Sequence, residues 1–397
     1  MGRHRVLVLN HFAVPRGEPG MTRHAELFSS VRGWDATIIA ANRNLYTRAT
    51  WSTDDEMFRS VPVTNYANNG PARVLNWISY AVGALAVGLR LRDLDLVYAS
   101  SPHLLAGLSG CVLARIKRVP FVFEVRDLWP QVLVDMGRLA ESSLQYSILR
   151  RLERFLYRHA AAIVVLAEGS RAGVIAAGGQ ADRVVHIPNG ADPQDFSVDE
   201  RRETLRASYG MDGVVFLYAG AHGPANGLDA VLDAAEAVST TDPSIRFWLV
   251  GDGIAKQGLV TDAARRRLTN VFFHDPVPKS EIPRLLAAAD IGLHVLADVP
   301  LFHYAISPNK LFDYMAAGRP VLTNTPGEVA ALVQKAGAGL AVEPRGIAEG
   351  AREMAASSPA QRDAWGGNGR AFVAEHRSRE TLAKQLEQLL DEITIAR

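Results

Sequence analysis

The chain has 397 residues, 48% apolar and 21% charged. That composition excludes disorder as its main state and, at ~150 residues per domain, suggests two domains. Lys plus Arg number 43 against 42 Asp plus Glu, a formal net charge of +1, so no global field holds nucleic acid and no such partner is expected. A single cysteine, Cys111, excludes an internal disulfide framework and any cysteine-rich zinc site, and fits a reducing, cytoplasmic setting.

In chain order, residues 5–10 form an apolar run too short for a signal-peptide core. With no small-residue cleavage site, it reads as a first strand. Met1-Gly2 does not open a myristoylation signal, because position six is Val6. Further strands are predicted at 36–41, 96–100, 121–125, 162–166 and 184–187, then at 214–219, 246–250, 271–274, 291–295, 320–324 and 339–342. Nearly continuous apolar strands separated by helical patterns imply parallel sheets covered on both faces, an α/β doubly wound architecture. The turn-rich stretch 188–196 marks a boundary. One domain is expected over 1–190 and a second over 191–377. A helix over 378–397, striped by Leu382, Leu386, Leu389, Leu390 and Ile393, is expected to pack back on the first domain.

The longest uncharged stretches are 74–89 and 96–114. Ser100-Ser101-Pro102 interrupts the second, leaving a helical part of ~17 Å against ~30 Å of bilayer hydrocarbon. No membrane span is expected. Residues 143–159 place Leu144, Ile148, Leu152, Phe155 and Leu156 on one side, with Arg150, Arg151, Arg154 and Arg158 interspersed. That pattern suits either a core-facing helix with a solvated basic side or a helix lying on an anionic membrane surface.

Ligands of doubly wound sheets sit beyond the carboxyl ends of the strands, so the loops there are the informative ones. The loop 10–21 contains Pro15, Gly17, Pro19 and Gly20 before a helix near Thr22, and could bring backbone close to an anion or simply cross the surface. Arg126-Asp127-Leu128-Trp129-Pro130 follows the 121–125 strand. It suits substrate contacts, with an Arg126–Asp127 salt bridge over a core Trp129 as the competing reading. Asp93 and Asp95 precede a strand at a helix exit and read as a solvated turn, so no metal is assigned. After the 214–219 strand comes Gly220-Ala221-His222-Gly223-Pro224-Ala225-Asn226-Gly227, a plausible diphosphate site or a plain strand–turn–helix connection. No Gly-Lys-Ser/Thr phosphate motif occurs.

The most informative segment is Ser307-Pro308-Asn309-Lys310-Leu311-Phe312-Asp313-Tyr314-Met315-Ala316-Ala317-Gly318-Arg319-Pro320-Val321. Ser307 reads as the N-cap of a helix, with Pro308 in its first turn. Lys310 in that turn opposes the helix dipole, where stability alone would favour Asp or Glu. The inconsistency points to an anion held by lysine and helix end together. Asp313 lies three residues on, on the same side, as a second ligand contact or an i,i+3 ion-pair partner.

These segments resemble the retaining family 4 glycosyltransferases of two-domain GT-B architecture, and the resemblance covers essentially the whole chain. Ile187-Pro188-Asn189-Gly190-Ala191-Asp192 with Phe196 is similar to the family's interdomain signature. Tyr218-Ala219-Gly220 with Asn226-Gly227-Leu228 resembles its phosphate loop, and Leu249-Val250-Gly251-Asp252-Gly253 its next strand end. Asp313 through Val321 resembles the end of its acidic motif, normally two glutamates eight residues apart. The first glutamate falls on Ala305 and the second on Asp313, while the usual Arg and Lys of the phosphate loop fall on Ala221 or His222 and on Asn226. Lys310 is the candidate replacement for those charges.

The resemblance implies two Rossmann-like domains facing across a cleft, with an acceptor domain first and a donor domain second. It implies transfer of a hexosyl or N-acetylhexosaminyl group from a nucleotide diphosphate sugar, expected to be UDP-linked, with retention and without metal or cofactor. Fixed cations and helix ends would stabilise the departing diphosphate, with domain closure excluding water. Donor contacts are expected at Gly20, Gly220, Gly223, Asn226, Gly227, Gly251, His274, Ser307, Pro308, Asn309, Lys310 and Asp313. Acceptor contacts are expected at Arg23, His103, Arg126 and Trp129, and Asp127 and His222 are the expected catalytic pair. The acceptor would be a glycan, a lipid-linked glycan or a small molecule, and peripheral contact with the inner membrane face is expected. The alternatives are a nucleotide-sugar 2-epimerase of the same fold and a non-catalytic sugar-nucleotide-binding subunit.

Overall fold

The computed structural model describes residues 3–18, 20–45, 47, 49–66 and 70–395. Pro19 of the first loop and Met1-Gly2 lie outside the described residues. Two compact units emerge, Met1–Pro188 with Arg379–Arg397, and Asn189–Ser378.

The first unit opens with β1 (His4–Leu9), α1 (Arg23–Phe28), β2 (Trp34–Ala41), β3 (Phe58–Val61) and α2 (Pro71–Arg90). It continues through β4 (Leu96–Ser100), α3 (Leu104–Lys117), β5 (Phe121–Val125), α4 (Gln131–Asp135) and α5 (Leu144–His159). β6 (Ala162–Val165), α6 (Ser170–Ala176) and β7 (Val184–His186) complete its sheet. All seven strands are parallel, in the order β3-β2-β1-β4-β5-β6-β7. β4 and β5 are buried at every position, as expected of strands covered on both faces. β3 escapes the sequence reading because its pattern is apolar only at its two ends, with polar Arg59 and Ser60 between, as suits an edge strand.

The second unit runs through α7 (Arg202–Tyr209), β8 (Val214–Ala219), α8 (Asp229–Val238), β9 (Ile245–Val250), α9 (Lys256–Arg265) and β10 (Val271–His274). Next come α10 (Ile282–Ala288), β11 (Ile291–His294), α11 (Asn309–Ala316), β12 (Val321–Thr323), α12 (Glu328–Ala336) and β13 (Gly339–Ala341). α13 (Ile347–Ala356) and α14 (Pro359–His376) close it. Its six parallel strands are ordered β10-β9-β8-β11-β12-β13.

The final helix, α15 (Arg379–Ile395), packs in the first unit. Leu382, Leu386 and Leu390 enter the core beside Ala25, Phe28 and Trp34, each leucine worth ~1.5–3 kcal/mol on burial. The Trp34 indole donates to Asp391 Oδ1 at 2.8 Å. α2 is long and apolar enough, by length and composition alone, to cross a membrane. Within the unit it is a layer helix: Asn76, Tyr80, Ala84 and Gly88 are buried. A Cβ at Gly88 would stand 2.6 Å from a Leu113 methyl on α3, so glycine sets this close helix contact.

Each sheet reverses its strand order at one point, between β1 and β4 and between β8 and β11. The loops after these strands are where a ligand crevice forms.

Candidate functional site

In the second unit, the loop after β8 carries the phosphate-binding candidates. Gly220 has φ +153°, and a Cβ there would fall 2.1 Å from Lys310 Cε. The lysine stem therefore lies directly on the Gly220 backbone. Lys310 Nζ donates to the Tyr218 hydroxyl at 2.8 Å and to Asn226 Oδ1 at 3.1 Å. It also stands 4.5 Å over the centroid of the Tyr218 ring, a cation–π arrangement. Burial lowers its pKa to about 8, with Asp313 opposing the shift. The ammonium is still mostly charged at neutral pH, held by neutral oxygens.

Gly227, in the left-handed region at φ +58°, lets the loop press on the backbone of Leu296 and Ala297. There Ala297 N–H donates to Ala225 O at 3.1 Å. The loops after β8 and β11 thus meet at the reversal of the sheet. Gly223 and Asn226 close a single 3-10 turn between them.

His222 is fully buried, 0% exposed. Its backbone is fixed to Asp252 and Ala255, at 2.8 Å and 2.9 Å, yet neither ring nitrogen has a hydrogen-bond partner. Burial, then the nearby Lys256, lowers its pKa to about 4, so at neutral pH the ring is an uncharged donor.

α11 begins one residue later than its capping pattern predicts. Pro308 stands at the N-cap with no side-chain cap bond. Ser307, expected as the cap, instead accepts from Asn189 N–H at 3.1 Å through Oγ, and its carbonyl accepts from Asn189 Nδ2 at 2.6 Å. This correction has a plain cause: the Ser307 hydroxyl is engaged by the chain entering the unit. Asn309 and Lys310 still occupy the first turn, Asn309 exposed and Lys310 half-buried. Asp313 is also half-buried. Ala305, where the acidic motif would begin, is buried, 6% exposed.

Gly251 N–H donates to the His274 carbonyl at 3.1 Å. The His274 ring stacks on Trp248, 4.2 Å between centroids at 15°. Lys256 binds the carbonyls of Gly251 and His274, at 2.9 Å and 3.0 Å, and Asp275 Oδ1 at 2.8 Å. Sequence reasoning missed Lys256, and it placed Tyr218 in the phosphate-loop motif without its bond to Lys310. Lys256 starts α9 and opposes its dipole, the same signal that singled out Lys310. Tyr218 stands as a polar-tipped ring at the end of an apolar strand.

In the first unit, the reversal brings together the loops after β1 and β4. His103 caps α3, its Nδ1 accepting from Ala106 N–H at 3.3 Å. Burial holds it well below its ordinary pKa, so it is neutral with its proton on Nε2. That nitrogen donates to His11 Nδ1 at 2.7 Å. His103 also stacks on Trp77, which meets Trp129 edge-on.

Arg23, expected at an acceptor, is turned inward. It donates to Glu124 Oε2 at 3.0 Å and to the carbonyls of Pro188 and Ile187 at 2.6 Å and 2.8 Å. Glu124 is fully buried and also accepts from Tyr98 at 2.7 Å and Ser100 at 2.8 Å, with His24 Nε2 at 3.0 Å. Burial pushes its carboxyl up, but His24 and Arg23 outweigh it and hold the pKa well below the usual range.

Arg126 and Asp127 form no ion pair with each other among the described residues. Arg126 Nη1 is buried without a hydrogen-bond partner. Asp127 keeps solvent-exposed surface; desolvation by surrounding atoms raises its pKa, against Arg126. Trp129 is buried, its indole nitrogen also unpartnered. Gly20 stands at the entry to α1, with φ +146°. Among the described residues no three His, Cys, Asp or Glu cluster as a metal site.

Comparison with known proteins matches residues 30–190 to the glycosyl transferase 4-like domain and 213–357 to glycosyl transferases group 1. The chain is similar to a 2-deoxystreptamine glucosyltransferase of Streptomyces kanamyceticus, 28% identical over 258 residues. That match covers 64% of this chain and 65% of the relative, just under two thirds of its length. It is also similar to the probable glycosyltransferase WbjE of Pseudomonas aeruginosa, 24% identical over 72% of each chain. Among solved structures it resembles Anabaena Alr3699/HepE, crystallised with UDP and glucose, with TM-score 0.72 and 20% identity. That likeness covers 98% of this chain and 100% of the other. With the two domain matches together spanning more than half of its length, the chain belongs to the family 4-type glycosyltransferases of GT-B fold.

Proposed function

We propose that the protein transfers a hexosyl or N-acetylhexosaminyl group from a UDP-linked sugar to a glycan, lipid-linked or small-molecule acceptor, with retention and without a metal ion. The observation that carries this reading is the Lys310 ammonium, held on the Gly220 backbone by Tyr218 and Asn226 in the first turn of α11. A departing diphosphate gains negative charge as the glycosidic bond breaks. Lys310 and the free N–H groups at the start of α11 are fixed in advance to receive it, so they stabilise the transition state more than the substrate. A relative named for glucosyl transfer and a structural neighbour crystallised with UDP and glucose support the donor class.

In this reading the loop 220–227 cradles the diphosphate, with Ser307, Pro308 and Asn309 completing the donor contacts of the second unit. His222 contributes one neutral N–H, since a ring with pKa about 4 carries no charge at pH 7. Asp313 accepts from the ribose hydroxyls, and Gly251 and His274 flank the nucleoside. Asp127 orients or deprotonates the acceptor hydroxyl, with Arg126 and Trp129 beside it. The acceptor oxygen bonds to the anomeric carbon on the face the diphosphate leaves, and the hydroxyl proton passes to Asp127 or to the departing phosphate oxygen. The enzyme acts on the cytoplasmic side, in peripheral contact with the membrane when its acceptor is lipid-linked.

The test is to incubate the protein with UDP-glucose and with UDP-N-acetylglucosamine, with and without a chelator. Slow release of UDP, unchanged by the chelator, supports the transferase. An isomerised nucleotide sugar would instead establish the epimerase, and UDP binding without turnover on any acceptor a non-catalytic subunit.

A further inference from the structure

The outward side of α2 is apolar from its first turn to its last. Val74, Leu75, Ile78, Val82 and Leu89 recur at helical spacing and are exposed, Leu75 by 55% and Val82 by 62%. The opposite side, with Asn76, Tyr80, Ala84 and Gly88, is buried in the first unit. At 1.5 Å per residue the stripe from Val74 to Leu89 runs for about 22 Å. A layer helix of a water-facing domain ordinarily places charge there, and a contiguous exposed apolar surface marks a binding face.

Charge identifies the occupant. Neither α2 nor α3 carries a single carboxylate. The carboxyl ends of the two helices lie side by side, because Lys117 Nζ donates to the carbonyls of Leu89 and Leu91, at 2.7 Å and 2.6 Å. Ile116, next to Lys117 in α3, is 55% exposed at this end. Around it Arg90, Arg92 and Arg115 are exposed and have no carboxylate partner among the described residues. The nearby acid Asp93 faces Arg5, at 3.6 Å.

We propose that α2 is the membrane-docking helix: it lies in the surface of an anionic bilayer, its apolar stripe among the acyl chains and its arginine end on the lipid phosphates. A long apolar strip ending in unpaired arginines matches a lipid layer, which offers hydrocarbon beneath a sheet of negative charge. A second copy of the chain would present the same cations again. α5, the basic helix expected to make this contact, is less suited. Its Leu156 is buried against α3, and Leu152 and Phe155 are half-buried, so only Leu144 and Ile148 are exposed on its apolar side. The inference deepens the membrane part of the proposed function, and its test uses no nucleotide sugar, so the two can fail separately.

The test is co-sedimentation of the full chain with vesicles of phosphatidylcholine containing about a third phosphatidylglycerol, and with phosphatidylcholine alone. The wild type should pellet with the anionic vesicles at low salt and much less with the neutral ones. Ile78→Glu/Val82→Glu and, separately, Arg90→Glu/Arg92→Glu should each weaken that binding by ~10-fold or more, with UDP affinity and melting temperature kept. Leu144→Glu/Ile148→Glu should leave it nearly intact. No binding of the wild type at low salt, or full binding by either α2 variant, overturns the proposal. So does a wild-type dimer, seen by light scattering, that Ile78→Glu/Val82→Glu converts to monomer without changing vesicle binding.

Discussion

The Lys310 ammonium donates to the Tyr218 hydroxyl at 2.8 Å, from the first turn of a helix to the penultimate residue of a strand 92 positions away in sequence. The contact holds a cation on a bare glycine backbone with no carboxylate in the bond.

Its consequence is a pH dependence of UDP affinity. Burial sets the free lysine near pKa 8, and a bound diphosphate raises it by favouring the charged form. Affinity should therefore be flat below pH 8 and weaken as pH rises through 8, by up to ~10-fold per unit until the pKa of the bound state is passed. Titrations of UDP between neutral and alkaline pH check this. Affinity unchanged across that range would mean the ammonium does not meet the phosphate.

Asp127 is predicted to act on the acceptor hydroxyl. It has no ion pair with Arg126, so Asp127→Asn, which nearly keeps its shape, should leave the melting temperature unchanged. A positioned base contributes ~10²–10⁴ in rate, and turnover at saturating donor should fall by at least that lower bound. A loss under tenfold removes Asp127 from the chemistry.

The Arg23–Glu124 pair should dominate the stability of the first unit. Breaking a buried pair from one side costs ~3–5 kcal/mol, so Arg23→Met should lower the urea midpoint of that unit's transition markedly while UDP still binds the second. The sign with pH is also set. Glu124 titrates below its unfolded value, so its contribution is present above the unfolded carboxylate pKa and is lost as pH falls through the folded one. Arg23→Met should flatten that acid loss. Equal acid sensitivity in the variant would assign it to other groups.

The sequence carries most of the architecture because buried parallel strands announce themselves as apolar runs. Phe121–Val125 and Val214–Ala219 need nothing but their own residues to be recognised. Phe58–Val61 is invisible for the opposite reason, since an edge strand needs apolar residues at only some positions. In the site, Lys310 is legible because it violates a local helix rule. Lys256 violates the same rule and is absorbed by two carbonyls and Asp275, a distinction that only three-dimensional neighbours reveal. The same holds for His222, whose place in a glycine-rich loop is readable but whose complete burial and neutral state are not. Arg23 could not be told from a substrate-facing arginine, because its partners lie 101 to 165 residues away.

The central claim, that the loop after β8 and the start of α11 hold a donor diphosphate, is tested most directly by calorimetric titration of UDP into wild type and Lys310→Ala at neutral pH. One charge-assisted bond, partly desolvated, contributes ~1.5–3 kcal/mol. The variant should therefore bind UDP ~10- to 100-fold more weakly, with its melting temperature near that of wild type. Wild-type affinity in the folded variant would contradict the claim.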